Sequence, residues 1–258
     1  MLAVDIGNTK TALGFFREGV LARKWRVATD ARQTTDQLRL FLAELLADLG
    51  ESFPRLDSVM LSSVVPRLTR TWEELRSHTD LHVVSPKTPI SFEIALPDPA
   101  ALGADRIADA EAAVRLFGAP VIIVDAGTAV TWSVINSQKR FVGGAIAPGI
   151  GISIKALFAA AARLSPVEIR PPERAIGNST EKAIGSGMHY GYAAMVTGLL
   201  KRMEDELNEG KPALVATGGS AKHLAPFLPP EVNVEEDLTL KGLAFLNENL
   251  GSARRFHA

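Results

Sequence analysis

The chain contains no cysteine, which excludes disulfides, thiolate zinc sites and a cysteine nucleophile. It lacks a charge bias as well. With 28 Lys and Arg against 29 Asp and Glu, no overall field draws it to nucleic acid or an anionic membrane, and a small-molecule partner becomes the default. No stretch approaches the roughly 20 consecutive apolar residues that a bilayer-spanning helix needs. No basic region precedes Met1 to Val4, and Asp5 cuts the apolar run short, so the sequence argues against a secretory leader and for a cytoplasmic protein. The five histidines, His78, His82, His189, His223 and His257, are scattered without metal-ligand spacing and read as structural or surface residues. The phosphate loop Gly-x-x-x-x-Gly-Lys-Ser/Thr does not occur.

What is present begins at residue 1. In Met1 to Phe16, MLAVDIGNTKTALGFF, a short apolar run opens onto Asp5, Gly7, Asn8 and Thr9 before alternating residues resume. The pattern predicts a β-hairpin with a polar turn. Such a tip suits a metal-bound polyphosphate: Gly7 lets oxygens approach the main chain, Asn8 and Thr9 can donate hydrogen bonds, and Asp5 can hold Mg²⁺ directly or through water. An ordinary hairpin turn uses the same residues. Val121 to Ile135, VIIVDAGTAVTWSVI, favours the first reading, because Asp125, Gly127 and Thr131 repeat Asp5, Gly7 and Thr11 at a constant offset of 120 residues. A repeat of that length predicts two similar domains, 1–117 and 118–258, each presenting its tip to a shared cleft. The arrangement resembles the acetate and sugar kinase, Hsp70 and actin superfamily, and implies an α/β chain of two ribonuclease-H-like, actin-like ATPase domains.

Along the chain, Val20 to Ala28 suits a third strand of the first meander. Thr34 or Thr35 can cap a helix whose stripe is Leu38, Phe41, Leu42, Leu45, Leu46 and Leu49, ended by Gly50. Asp57 to Val65 reads as a buried strand, 66–78 as helix and 82–85 as a short strand. Four prolines make 85–102 a loop, after which 104–117 is helical and Gly118-Ala119-Pro120 marks a boundary. The second hairpin is expected to turn through Gly143-Gly144. A helix then ends near Arg163, 164–178 forms a mobile arm, and Gly185, Gly187, Gly191 and Gly198 interrupt a long helical stretch from 179 to 209 for close packing or a bend. Ala213 to Thr217 is a strand, and Leu238 to Leu250 closes the second domain as a helix.

Gly103-Ala104-Asp105-Arg106 opens the 104–117 helix, where Asp105 is electrostatically favoured and could simply cap it. Four motifs now stand in order: Asp-Ile-Gly-Asn-Thr at 5–9, Gly-Ala-Asp-Arg at 103–106, Asp-Ala-Gly-Thr-Ala at 125–129 and Gly-Gly-Ala-Ile-Ala-Pro-Gly at 143–149. Together they resemble a type III pantothenate kinase. Thr180 followed by Ser186-Gly187 is similar to that family's later substrate segment, and Thr217-Gly218-Gly219 to its adenosine-side loop. The resemblance implies phosphoryl transfer from ATP to the primary hydroxyl of pantothenate. It makes Asp105 the residue that accepts the hydroxyl proton, with Gly103, Ala104, Asp105, Arg106 and Thr180 binding pantothenate. Asp5, Ile6, Gly7, Asn8, Thr9, Lys10, Thr11, Ala12 and Thr128 would line ATP, Asp5 would hold Mg²⁺ with it, and Asp125 would coordinate a monovalent cation, K⁺ or NH₄⁺. It also implies a homodimer. Leu96 replaces the family's usual tyrosine seven residues before Gly103, which removes a hydroxyl from the implied substrate pocket.

Two other readings compete with this one. A catalytically silent relative acting as a nucleotide- or pantothenate-binding regulator would not need Asp5, Asp105, Arg106 and Asp125 together. A kinase or phosphatase acting on a sugar or acyl group is disfavoured by Gly-Ala-Asp-Arg.

Overall fold

The computed structural model describes residues 1–161 and 170–256. They fall into two compact units, Met1–Leu116 with Leu238–Ala258, and Phe117–Asp237.

The first unit opens with an antiparallel meander of β1 (Leu2–Ile6), β2 (Lys10–Arg17) and β3 (Val20–Ala28). It continues through α1 (Thr35–Ala47), β4 (Val59–Ser63), α2 (Pro66–Glu73), β5 (Leu81–Val83), the two-residue β6 (Glu93–Ile94) and α3 (Ala104–Phe117). The five main strands run β3-β2-β1-β4-β5, with β4 parallel to both β1 and β5. Central β1 has Leu2, Ala3 and Val4 wholly buried, as a strand covered on both faces requires. Thr34 and Gln37 cap α1 reciprocally, satisfying two amide groups that the first turn leaves without partners. The stripe Leu38, Leu42 and Leu46 is buried in one core cluster with Leu68 and Trp72 of α2. Helix α2 stops at Glu73 and turns follow, so it is shorter than the expected 66–78.

The second unit contains β7 (Val121–Ala126), β8 (Ala129–Ile135), β9 (Arg140–Pro148), α4 (Ile150–Ala160), α5 (Thr180–Leu207), β10 (Ala213–Thr217), the short α6 (Ala221–Leu224) and β11 (Val232–Val234). Its strands run β9-β8-β7-β10-β11, again an antiparallel meander followed by two parallel additions. The repeat seen in the sequence is therefore a repeat of topology. The second pairing of each meander carries a register shift, between Phe15 and Phe16 where β2 meets β3 and between Val134 and Ile135 where β8 meets β9.

Several expectations change. Gly143 and Gly144 do not form the turn; they lie within β9 opposite Val134 and Ser133, and the chain reverses at Asn136–Lys139. Helix α5 is continuous over 28 residues, and Gly187, Gly191 and Gly198 have nothing within 4 Å of where a Cβ would sit. They do not interrupt the helix and, among the described residues, admit no close neighbour, whereas Gly185 does allow the expected close packing: a Cβ there would lie 2.9 Å from the Arg170 carbonyl oxygen. The expected helix end at Arg163 and the first part of the 164–178 arm lie outside the described residues; 170–178 is irregular. His189 is a core histidine whose Nδ1 donates to the Gly185 carbonyl at 2.9 Å, with its ring against Phe227. Among the described residues no helix is long and apolar enough to cross a membrane.

The closing helix α7 (Leu238–Phe256) departs most from expectation. Sequence order assigns it to the second domain, yet it packs on β1, β2 and β4 of the first unit. It also lies directly against α3. A Cβ on Gly242 would fall 1.9 Å from the Ala108 carbonyl oxygen, Thr239 Oγ1 donates to buried Asp109 at 2.7 Å, and Asn249 Nδ2 donates to Glu111 at 3.0 Å. Glu111 is wholly buried and also accepts from the Ser91 amide, the Ser91 hydroxyl and Arg115 Nε. These bonds tie the proline-rich loop to the helix that carries Asp105. Gly242→Ala should force α7 off α3 and cost about 1–3 kcal/mol, measured as a lower melting temperature. Gly251→Ala, on the same helix with nothing within 4 Å, should be neutral or stabilising because alanine favours helix.

Candidate active site

Pairing on both sides of β1 determines where Asp5 stands. It lies opposite Ala12 on β2 and in register with Ser62 on β4, and residues so aligned share a sheet face. Ser62 is wholly buried and its hydroxyl donates to Asp5 Oδ1 at 2.9 Å. The turn beyond is closed by the Gly7 amide donating to the Lys10 carbonyl at 3.0 Å. Thr29, just past β3, braces it: its hydroxyl donates to the Gly7 carbonyl at 2.8 Å and its amide to the Thr9 carbonyl at 3.0 Å. Asn8, Thr9 and Lys10 are exposed at the tip.

Not every residue of the predicted tip faces outward. Ile6 is buried, so only its main chain is available at this site. Thr11 pairs with Ile6 and therefore lies on the sheet face opposite Asp5. Its hydroxyl meets that of Thr29 at 3.0 Å, beside a cavity of about 180 Å³ lined by Ile6, Thr11, Phe41 and Trp72 among others. A larger cavity of about 360 Å³ is lined by Ser63, Val64, Pro66, Thr69, Arg70 and Glu73. Neither is lined by Asp5, Asp105 or Asp125.

The second unit builds the matching tip with one residue fewer. Gly127 donates to Ala129, leaving Thr128 alone at the apex, whereas Asn8 and Thr9 both separate Gly7 from Lys10. Asp125 and Gly127 keep their correspondence with Asp5 and Gly7. Past the turn the equivalence falls to 119 residues, as the two register shifts also show. Thr131 thus corresponds to Ala12 rather than to Thr11, a correction to the sequence repeat, and it lies opposite Asp125 on the same face. On the other side Asp125 is in register with buried Thr217, the position Ser62 holds beside Asp5. The next residue, Gly218, has φ +90°, and a Cβ there would lie 2.1 Å from Asp125 Oδ1, so conformation and space both demand glycine. Gly149 seats the tip: its amide donates to the Thr128 carbonyl at 3.0 Å, and a Cβ would fall 2.4 Å from that oxygen. Exposed Thr180 opens α5 behind the Ser179 cap.

Gly103, Ala104, Asp105 and Arg106 are half-buried at the start of α3. Asp105 Oδ1 accepts from the Arg106 amide at 2.8 Å. A Cβ on Gly103 would lie 2.5 Å from that same oxygen, so any side chain there would displace the carboxylate. In the first unit the structure brings Asp5, Asp105 and Arg106 into one electrostatic neighbourhood. Burial, and then the Asp105 charge, push Asp5 up to about 7 against the hydrogen bond from Ser62. Burial lowers the Arg106 guanidinium, opposed by Asp105 and Asp109. Ser62 and Thr29 escaped the sequence reading, and Thr217, singled out there only with Gly218-Gly219, was not linked to Asp125. The available signal was a hydroxyl residue closing an otherwise apolar strand, as in VMLSS and ALVAT.

A family model described as type III pantothenate kinase matches residues 1–202. The chain belongs to that family. It is 40% identical over 252 residues to a type III pantothenate kinase of Bacillus cytotoxicus, covering 96% of this chain and 95% of the relative. Among solved structures, the activator of 2-hydroxyisocaproyl-CoA dehydratase from Clostridium difficile aligns with a TM-score of 0.59 at 14% identity, over 98% of this chain and 97% of that one. The (R)-2-hydroxyglutaryl-CoA dehydratase component A of Acidaminococcus fermentans aligns at 0.57 and 15% identity, over 98% of each. At these identities the likeness concerns the fold alone, a mixed α/β architecture with two sheets. Within the type III family motifs, Gly103 and Gly149 are thus spacers that keep a carboxylate and a turn in place.

Asp5 carries a pH dependence. Its folded value of about 7 lies above the ordinary 3.8, so the neutral acid contributes stability that is complete below about pH 4 and is lost as pH rises through 7. Asp5→Asn keeps the side chain neutral. In EDTA and without ligand, the variant should melt higher than the parent at pH 8, with the difference closing toward pH 4. Parallel melting curves across that window would show that Asp5 is ionised in the folded protein throughout.

Proposed function

We propose that this chain transfers the γ-phosphoryl group of ATP to the primary hydroxyl of pantothenate, the opening step of coenzyme A synthesis, in the cytoplasm. The observation that carries the reading is the placement, in one unit, of Asp105 within electrostatic reach of the acidic tip residue Asp5, in a member of this family. The silent-regulator and sugar-kinase alternatives gain no support from the comparisons.

The geometry suits phosphoryl transfer, whose loose transition state asks mainly for alignment and neutralisation of charge. Gly7, Asn8 and Thr9 offer main-chain and side-chain donors to phosphate oxygens, flanked by Lys10 and Ala12. Asp105 orients the acceptor hydroxyl. A carboxylate is a weak base toward an alcohol, so it takes the proton late, as the new oxygen–phosphorus bond forms and the bond to ADP breaks. The amide of Arg106 holds Asp105 Oδ1, which keeps the carboxylate from turning away. The Arg106 guanidinium presents a planar fork to the pantothenate carboxylate.

Among the described residues no cluster of three or more His, Asp or Glu could cage a metal. A single recessed carboxylate oriented by Ser62 fits Mg²⁺ that arrives with the nucleotide and keeps most of its ligands from phosphate and water. When bound, Mg²⁺ would neutralise charge on the phosphate oxygens. Asp125, with Thr131 and Thr217 in register on either side, offers an oxygen-rich row suited to K⁺ or NH₄⁺. We also read the chain as a homodimer. Helix α4 is IGISIKALFAA without one buried residue, and Ile146 and Ile152 of the same unit are 69% and 45% exposed, an apolar surface that calls for a cover.

ADP release should depend on pantothenate and Mg·ATP and rise when potassium replaces sodium; ATP hydrolysis indifferent to pantothenate would sink the proposal. Asp105→Asn should lower kcat about 100-fold or more with an unchanged melting temperature, and near-normal turnover would remove Asp105 from the mechanism. Ile152→Glu should shift the light-scattering mass from dimer to monomer.

A further inference from the structure

Consecutive serines close β4, and they serve different ends. Ser63 is occupied with the start of α2: its hydroxyl accepts from Thr69 Oγ1 at 2.8 Å and from the Val65 amide at 3.2 Å. Ser62 points to the other face of the sheet, is 0% exposed, and gives its hydroxyl to Asp5 Oδ1. Strand pairing locks it there, because Ser62 is in register with Asp5 and the Val64 amide continues the ladder to the Ile6 carbonyl at 3.0 Å. The second unit places Thr217, 1% exposed, at the same register beside Asp125. Two units of different sequence thus put a buried hydroxyl beside the aspartate of the central strand.

We infer that Ser62 is a positioning residue for the nucleotide's divalent cation: by engaging Oδ1 it sets the plane of the Asp5 carboxylate and leaves Oδ2 to meet the cation. An aspartate side chain has two rotatable bonds, and a hydrogen bond to one oxygen removes most of the freedom of the other. Ser62 acts only through Asp5, so its effect must vanish when Asp5 is altered. The inference deepens the kinase reading and rests on it.

The test compares wild type, Ser62→Ala, Asp5→Asn and the double variant, all checked for an unchanged fold by circular dichroism. Calorimetric binding of ATP is measured in EDTA and in Mg²⁺, beside the steady-state constants. Ser62→Ala should weaken binding in Mg²⁺ about fivefold, leave binding in EDTA unaltered, and raise the Mg²⁺ concentration for half-maximal activity while the KM for pantothenate stays within twofold. In the Asp5→Asn background it should add nothing, the signature of residues acting as one unit. Equal losses with and without Mg²⁺, or the same further loss on top of Asp5→Asn, would overturn the inference and mark Ser62 as a packing residue. If the wild-type protein binds Mg·ATP but releases no ADP with pantothenate, the kinase reading fails instead, while the binding comparison still decides the role of Ser62.

Discussion

Each sheet is built around a strand paired on both sides, antiparallel to its hairpin partner and parallel to a crossover strand, and this double pairing determines where the strand's aspartate ends. Asp5 stands between Ala12 and Ser62, and Asp125 between Thr131 and Thr217. A one-residue slip would turn either carboxylate to the opposite face. The apolar residues ahead of each aspartate prevent that slip. Leu2, Ala3, Val4, Val121 and Ile122 are wholly buried, with Ile123 and Val124 at 1% exposure, and a shifted register would carry them out of their packed layers.

Much else in the first unit holds the acidic residues at the ends of rigid elements. Thr29 braces the tip from β3, and Ser62 reaches Asp5 from β4. Helix α3, which opens with Asp105, is clasped by α7 through Thr239 to Asp109, Gly242 on Ala108, and Asn249 to Glu111. Buried carboxylates such as Asp109 and Glu111 are costly without hydrogen-bond partners. Their partners sit on the chain's last helix and on the proline-rich loop, so the residues that satisfy them also orient the start of α3.

Local patterns carried much of the fold. The stripe of α1 and its Thr34 cap, the third strand at Val20–Ala28, α3 at 104–117 and β10 at 213–217 lie where periodicity and capping place them. Elements that depend on partners distant in sequence were harder to read. Short β11 has too few residues for a pattern. The glycines of α5 suggested interruption, although helical hydrogen bonding tolerates them without a break. At the site, Asp5, Gly7, Asp105 and Asp125 were legible as residues, whereas Thr11 was misplaced because the second turn is one residue shorter and the equivalence slips past it.

The sequence by itself determined that two like units each end a buried strand in Asp-x-Gly, and that a third aspartate opens a helix after a glycine. These are local facts, set by apolar runs, turn residues and capping chemistry within a few positions of one another. Only the tertiary structure decided that Ser62 and Thr217 stand beside the two strand aspartates, that Thr11 faces away from the first, and that the final helix belongs to the first unit. The facing of Thr11 depends on register within the first hairpin, and the other outcomes on register and backbone approach between segments more than 50 residues apart, as from Asp5 to Ser62 and from Ala108 to Gly242. No local propensity encodes them, because the energy that selects them comes from packing once the chain has closed on itself.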